Sequence, residues 1–216
     1  NDFAISIKMN SADFQKGGFS PEDSIRVAKL FSDSGIDNIE ISGGTYEQPR
    51  LLGLDKVSIN PERSENRKES TIAREAYFLS YAEEIAKVVN IPLMVTGGFR
   101  TKEGMEAALA DGACEIVGVG RPLCANPYAV KELLAGQIDE LPKYEKTLSI
   151  GPWWLSPTSP FRLIQAINAF SAQAWFYQQI KKMGKGLMPD LNLKPWKAFR
   201  EDAKADQEAI KEYQNI

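Results

Sequence analysis

Large apolar side chains alternate with small or polar ones at the start of the chain: Phe3, Ile5, Ile7 and Met9 against Ala4, Ser6, Lys8 and Asn10. A period of two predicts a strand over residues 3–9. The pattern then turns helical. Ser20 suits an N-cap and Pro21 a first helical position, and the helix they open is expected to bury Ile25, Ala28, Leu30 and Phe31 and to end near Gly35. Asn38–Ser42 reads as a second strand, closed by Gly43 and Gly44. A polar stretch over residues 45–69 follows, a length typical of functional lids or disordered segments. A helix over 70–89 carries Tyr77, Phe78, Tyr81, Ala82 and Ile85 on its apolar face.

The unit repeats twice more. Residues 91–96 predict a third strand, followed at once by Gly97 and Gly98, and Thr101 is placed to cap a helix over 103–109. Residues 115–119 predict a fourth strand, which ends in Gly120, Arg121 and Pro122. A short helix is expected after Asn126 and Pro127, reaching about Leu134. Strands that alternate with helices imply parallel pairing with right-handed crossovers. Residues 1–136 therefore read as one continuous βα array.

The chain beyond is different, and residues 137–216 read as a connector and helical extension. Residues 151–160 form a proline-rich connector holding Trp153 and Trp154. A helix over 161–183 places Leu163, Ile167, Phe170, Ala174 and Tyr177 at spacings of three and four, the signature of a buried stripe. Gly184 and Gly186 stop it. A last amphipathic helix over 195–213 has Trp196 and Phe199 near its start. The four tryptophans are expected to serve packing or oligomer contacts.

Composition narrows the chemistry. The net charge of -3 and pI near 5.3 supply no basic footprint for nucleic acid or anionic membrane. No apolar run approaches the roughly 20 residues that span a bilayer. No signal peptide is visible, so a cytoplasmic protein is expected. No metal site is expected: histidine is absent, which removes the usual metal sites together with Ser-His-Asp and Cys-His catalysis. Cys114 and Cys124 are read as inert reduced thiols. The chain opens on Asn1 rather than Met, and a fragment of a longer protein is expected.

The strongest chemical signal is a pair of turns, Gly97-Gly98 after the third strand and Gly120-Arg121 after the fourth. In a parallel array these lie side by side. Glycines let a phosphate approach backbone N–H groups closely, helix N-termini add partial positive charge, and Arg121 adds a guanidinium fork. Spacing alone predicts a phosphate site without naming whose phosphate it is. Lys8 is the second candidate. Strand parity points it away from Ile7 and Met9 and toward the barrel interior, where it would either pair with Glu40 or stand beside an electron-rich ligand. Arg74 and Glu75 read as a solvated face or loop anchor.

These residues also carry a resemblance. Residues 5–10, 38–47, 69–78, 92–101 and 117–123, with Asn126-Pro127 and 141–144, resemble the NADH:flavin oxidoreductase family whose founding member is old yellow enzyme. Residues 175–179 and 186–190 resemble a tail found in one subgroup. The resemblance implies an α/β fold: the C-terminal (βα)4 half of a TIM (β/α)8 barrel, with a C-terminal helical extension. It implies FMN as cofactor and NAD(P)H as co-substrate. Gly97, Gly98, Gly120 and Arg121 would hold the FMN phosphate. Lys8 stands where the family usually has an arginine at the flavin pyrimidine edge, keeping the charge but losing the fork. The implied activity is hydride transfer from NAD(P)H through FMN to an electron-poor alkene. The catalytic proton donor is expected to precede Asn1, in a missing N-terminal half-barrel. Two other readings stay open: a phosphate-binding barrel isomerase or aldolase without flavin, and a non-catalytic half-barrel that self-associates or joins a partner half. A homo-oligomer is a further expectation.

Overall fold

In the computed structural model, residues 3–13, 17–43 and 78–214 are described. Four strands form one parallel sheet in the order β1 (Ser6–Asn10), β2 (Asn38–Ser42), β3 (Leu93–Thr96), β4 (Ile116–Gly118). The register sets Lys8 beside Glu40, Glu40 beside Met94, and Met94 beside Ile116. Because side chains alternate across a sheet, Met9, Ile39, Ile41, Leu93 and Val95 share the other face. That face is the core. It packs against Ala28 of helix α1 (Pro21–Asp33), Ala82 and Ile85 of α2 (Leu79–Ala86) and Ala108 of α3 (Lys102–Ala110).

Local chemistry explains where the helices begin. Ser20 and Asp23 form a reciprocal capping box at α1, and Pro21 takes a position whose N–H is unpaired anyway. The box holds the Asp23 carboxyl below its ordinary range, mainly through the Ser20 hydroxyl. At α3 the Thr101 hydroxyl accepts from Gly104 N. One detail differs from the periodicity reading: Leu30 is exposed, and Ser24 and Ala28 hold the buried line of α1 instead. The expected loop over 45–69 and the first part of the expected 70–89 helix, with Arg74 and Glu75, lie outside the described residues.

The chain divides into two compact units. Unit 1 takes residues 1–120 and 132–141, and unit 2 takes 121–131 and 142–216. The division expected from composition, 1–136 and 137–216, cuts at a different place. In unit 1 the segment after Glu132 returns to the sheet side of the chain: Leu141 N donates to Arg100 O, and Thr101 bridges Glu140.

Unit 2 opens with α4 (Arg121–Ala125), where the sequence suggested only a turn. Its middle is α6 (Arg162–Gly184), packed against α7 (Pro195–Gln214) and α4; the intervening α5 (Ala129–Leu134) spans the unit division. The expected buried stripe on α6 is corrected here. Leu163, Phe170 and Tyr177 are exposed, while Asn168, Ala169, Ser171, Ala174, Trp175 and Gln179 are buried. The physical reason is hydrogen bonding. Asn168 donates to Leu155 O and Ile164 O and accepts from Ile150 N, so a polar residue faces inward to hold the connector. Gln179 likewise accepts from Asp190 N and donates to Asp190 O, which secures the α6–α7 connection.

Asp190 links this connection to pH. Lys182, 3.0 Å away, and the Asn192 and Leu193 backbone hold its carboxyl below the ordinary value of 3.8. A lowered folded value means the unfolded chain takes up the proton first as pH falls. The Asp190 contribution is therefore intact above pH 3.8 and is lost as pH falls below it toward the folded value. We expect Asp190→Asn to flatten the acid limb of unit 2 stability, read by tryptophan fluorescence between pH 5 and pH 2 at fixed urea. All four tryptophans lie in unit 2, so the signal is specific to it. An unchanged acid limb would remove Asp190 from this role.

Candidate functional site

The C-terminal ends of the strands collect the candidate residues of unit 1. After β3 the backbone turns through Gly97 at φ 151° and Gly98 at φ 88°. Side chains other than hydrogen are rarely tolerated there, so the pair is glycine for conformational reasons. After β4, Gly120 has an ordinary φ, and a methyl group built on it would meet nothing within 4 Å among the described residues. Space therefore opens beside the Gly120 backbone. Arg121 is bonded to Gly120 but belongs to unit 2, where its guanidinium stands 4.0 Å from the Glu145 carboxylate.

Two hydroxyls at the same strand ends were not singled out in the sequence. Ser11 follows β1 and Thr96 ends β3. Both oxygens are buried and lack a hydrogen-bond partner among the described residues. An unpaired buried hydroxyl costs about 1–3 kcal/mol. A polar ligand arriving at these strand ends would relieve that cost. The signal that could have found Thr96 is its place directly before the glycine pair, at the last core-distal position of the strand.

Lys8 pairs with Glu40 at 2.6 Å, one of the two alternatives its parity left open. Its side chain is 54% exposed on the sheet face opposite the helices. Ser6 and Asn38 bond each other on the same face. This face is polar at β1 and β2 and becomes apolar at Met94 and Ile116.

A cavity of about 380 Å³ lies at the other end of the sheet, lined by Ala86, Val89, Asn90, Pro92 and Glu115 among others. It lies at the N-terminal ends of β3 and β4, opposite the glycine turns, and holds none of the candidate residues. Neither Cys114 nor Cys124 forms a disulfide, and each thiol is pushed above the ordinary range chiefly by burial, which makes both poor nucleophiles. No helix among the described residues is long and apolar enough to cross a membrane.

The residues present fit a phosphate-bearing cofactor on two observations: the positive-φ glycine pair, and the open space at Gly120 with the Thr96 hydroxyl, unpartnered among the described residues, at the end of the neighbouring strand.

Comparison with known proteins gives the sequence context. No family model matches the chain. It is 39% identical over 139 residues to the NADH-dependent flavin oxidoreductase iliE of Hypocrea jecorina, covering 62% of this chain and 32% of that protein. It is 32% identical over 165 residues to the NADH-dependent flavin oxidoreductase iccE of Talaromyces variabilis, covering 74% and 37%. It is 30% identical over 182 residues to the NADH oxidase of Thermoanaerobacter brockii, covering 84% and 25%. The chain thus spans about a third or less of the length of these relatives. Among solved structures, a 2-naphthoyl-CoA reductase in complex with 2-naphthoyl-CoA shares the fold. Its TM-score is 0.50 at 23% identity, over 65% of this chain and 20% of that one. By these sequence relationships, the chain is a relative of the NADH-dependent flavin oxidoreductases, the family of old yellow enzyme.

Proposed function

We propose that the whole protein is an FMN-dependent oxidoreductase, and that this chain supplies the phosphate end of its cofactor site. The observation that carries the reading is the Gly97-Gly98 turn at the C-terminal end of β3, next to open space at Gly120 just after β4. Backbone N–H groups at Gly97, Gly98 and Gly120 would donate to the phosphate, and Arg121, next in the chain, would add a charge-assisted pair with its guanidinium. Thr96 would donate its unpaired hydroxyl to the same group. Bound there, FMN would accept hydride from NAD(P)H and hand it to an electron-poor alkene.

Lys8 would face the pyrimidine edge. Its pairing with Glu40 fixes the ammonium in place and tempers its charge, so Lys8 would orient the ring more than polarise it. The proton donor would belong to the part of the relatives' length that this chain does not span.

The fold proposal follows the same line. A doubly wound sheet reverses its strand order and carries helices on both faces. Here the strand order is sequential, and α1, α2 and α3 pack on one face. That arrangement supports half of a (β/α)8 barrel, with the Lys8 face as the interior and the strand C-termini as the mouth.

Titration of the whole protein with FMN tests the function. Stoichiometric binding with a bound-flavin absorbance spectrum is expected, and Arg121→Ala should weaken it by about tenfold to a hundredfold, the cost of a charge-assisted pair. Binding of inorganic phosphate without FMN would instead favour a phosphorylated substrate at the same turns.

A further inference from the structure

Helix α7 has two lines of contact-sized residues on adjacent faces. Small ones, Pro195 and Ala198, are buried against the rest of unit 2. Large ones face solvent: Trp196 is 50% exposed, Phe199 39%, Ile210 57% and Tyr213 81%. This inverts the usual arrangement, in which the bulky line is the buried one. The exposed line is also regular. Residues 196, 199, 203, 206, 210 and 213 alternate steps of three and four, the a/d seam of a coiled coil. Regularity over about five turns of helix points to a helical partner rather than to a small ligand.

The seam matches itself when reversed. About a two-fold axis between Lys204 and Ala205, Trp196 meets the partner's Tyr213, Phe199 meets the partner's Ile210, and Ala203 meets the partner's Asp206. These are the a-to-d layers of an antiparallel pair. Charge follows the same symmetry. The first half of α7 carries Lys197, Arg200 and Lys204 against Glu201 and Asp202; the second carries Asp206, Glu208 and Glu212 against Lys211. An antiparallel pair sets the basic half of one α7 along the acidic half of the other. A parallel pair would set like on like. Asp206, the one polar seam residue, costs stability and fixes this register, a known use of a lone polar a/d position.

We infer that the exposed Trp196–Phe199–Ile210–Tyr213 seam of α7 is a self-association surface, which pairs antiparallel with α7 of a second copy of this chain. Isologous pairing of one patch on a two-fold axis is the commonest route to a dimer.

Sedimentation equilibrium of the 216-residue chain over 1–200 µM tests it. A dimer is expected, and Ile210→Lys should raise its dissociation constant by about tenfold or more, as loss of a central anchor does. Both Phe199→Lys and Ile210→Glu should weaken the dimer singly, and the double exchange, which sets the two charges against each other across one antiparallel layer, should restore part of it. Both positions are exposed in the single chain, so unchanged circular dichroism is expected as a check on folding. A monomer throughout the range overturns the inference. So does a dimer that Ile210→Lys leaves intact, since that dimer would use another surface. A double exchange that fails to rescue overturns the antiparallel register. None of these readouts depends on flavin binding.

Discussion

Trp175→Ala is expected to destabilise unit 2 by about 3–5 kcal/mol, the range for emptying a large aromatic site in a core. Trp175 is 1% exposed and the largest buried side chain of the protein. Its ring lies 5.2 Å from Phe176 in an edge-to-face arrangement and 5.9 Å from Tyr144. Around it pack Ala125 of α4, Leu148, and Ala198 of α7. Three of the four other buried members of this cluster, Ala125, Ala174 and Ala198, are alanines, which cannot swing in to fill the void. The indole also donates from Nε1 to Leu193 O at 2.9 Å, so the deletion leaves a carbonyl without its donor at the entry to α7. Trp175→Phe separates the two costs: it keeps most of the volume and loses the hydrogen bond, and about 1 kcal/mol is expected for that bond. Thermal unfolding followed at 222 nm, with fluorescence of the remaining three tryptophans, reads both. A loss under 1 kcal/mol for the alanine variant would show that unit 2 does not depend on this core.

That core shows how far the sequence could be read. Trp175 was expected to pack, and it does. The line of Leu163, Phe170 and Tyr177 was expected to be buried, and it is not. Periodicity finds a helix through spacing alone, but it assigns the inward face by size and polarity. On α6 the inward face is chosen by what the connector and the α6–α7 turn require. Asn168 satisfies three backbone groups and Gln179 two, and small residues between them allow close helix packing. Apart from the Asn168–Ile164 bond within the helix, these bonds join residues 11 to 18 apart and leave no local mark in a sequence. In the βα part the local signals were sufficient. Ser20, Pro21 and Thr101 act at short range, and the capping interactions they suggest are present. Strand alternation located all four strands, although β4 is only three residues long.

The candidate site was legible in a similar, partial way. Glycine pairs at strand ends can be read directly, because a positive φ at Gly97 and Gly98 leaves few other residues possible. Lys8 and Glu40 could be matched by parity, since parallel register sets them side by side. Ser11 could not, and only its place directly before the glycine pair marks Thr96. A serine or threonine is ordinary in any position until burial and the absence of a partner are known, and both are tertiary facts.

Two glycine-to-alanine changes on the same strand end should separate folding from binding. Gly118→Ala should damage the fold. Gly118 stands beside Thr96 in the register, and a methyl group there would lie 1.7 Å from Thr96 Oγ1, 2.8 Å from Thr96 Cβ and 2.7 Å from Met94 Cε. The Met94 methyl can turn away. Thr96 cannot clear both its oxygen and its Cβ by rotating, so β3 and β4 must separate. Overpacking of this kind costs about 1–3 kcal/mol, and more where backbone must move. Faster hydrogen exchange at the β3 and β4 amides and a lower urea midpoint for unit 1 are expected. Gly120→Ala, two residues on, should behave oppositely. Its φ is ordinary and its methyl meets nothing within 4 Å among the described residues, so the fold should be unaffected. Under the proposed function that open space is where the phosphate approaches. Gly120→Ala should then lower FMN affinity at unchanged stability, whereas Gly118→Ala should lower both together. If Gly120→Ala binds FMN as tightly as the unaltered protein, the phosphate does not lie against β4, and the site must be sought elsewhere on the sheet.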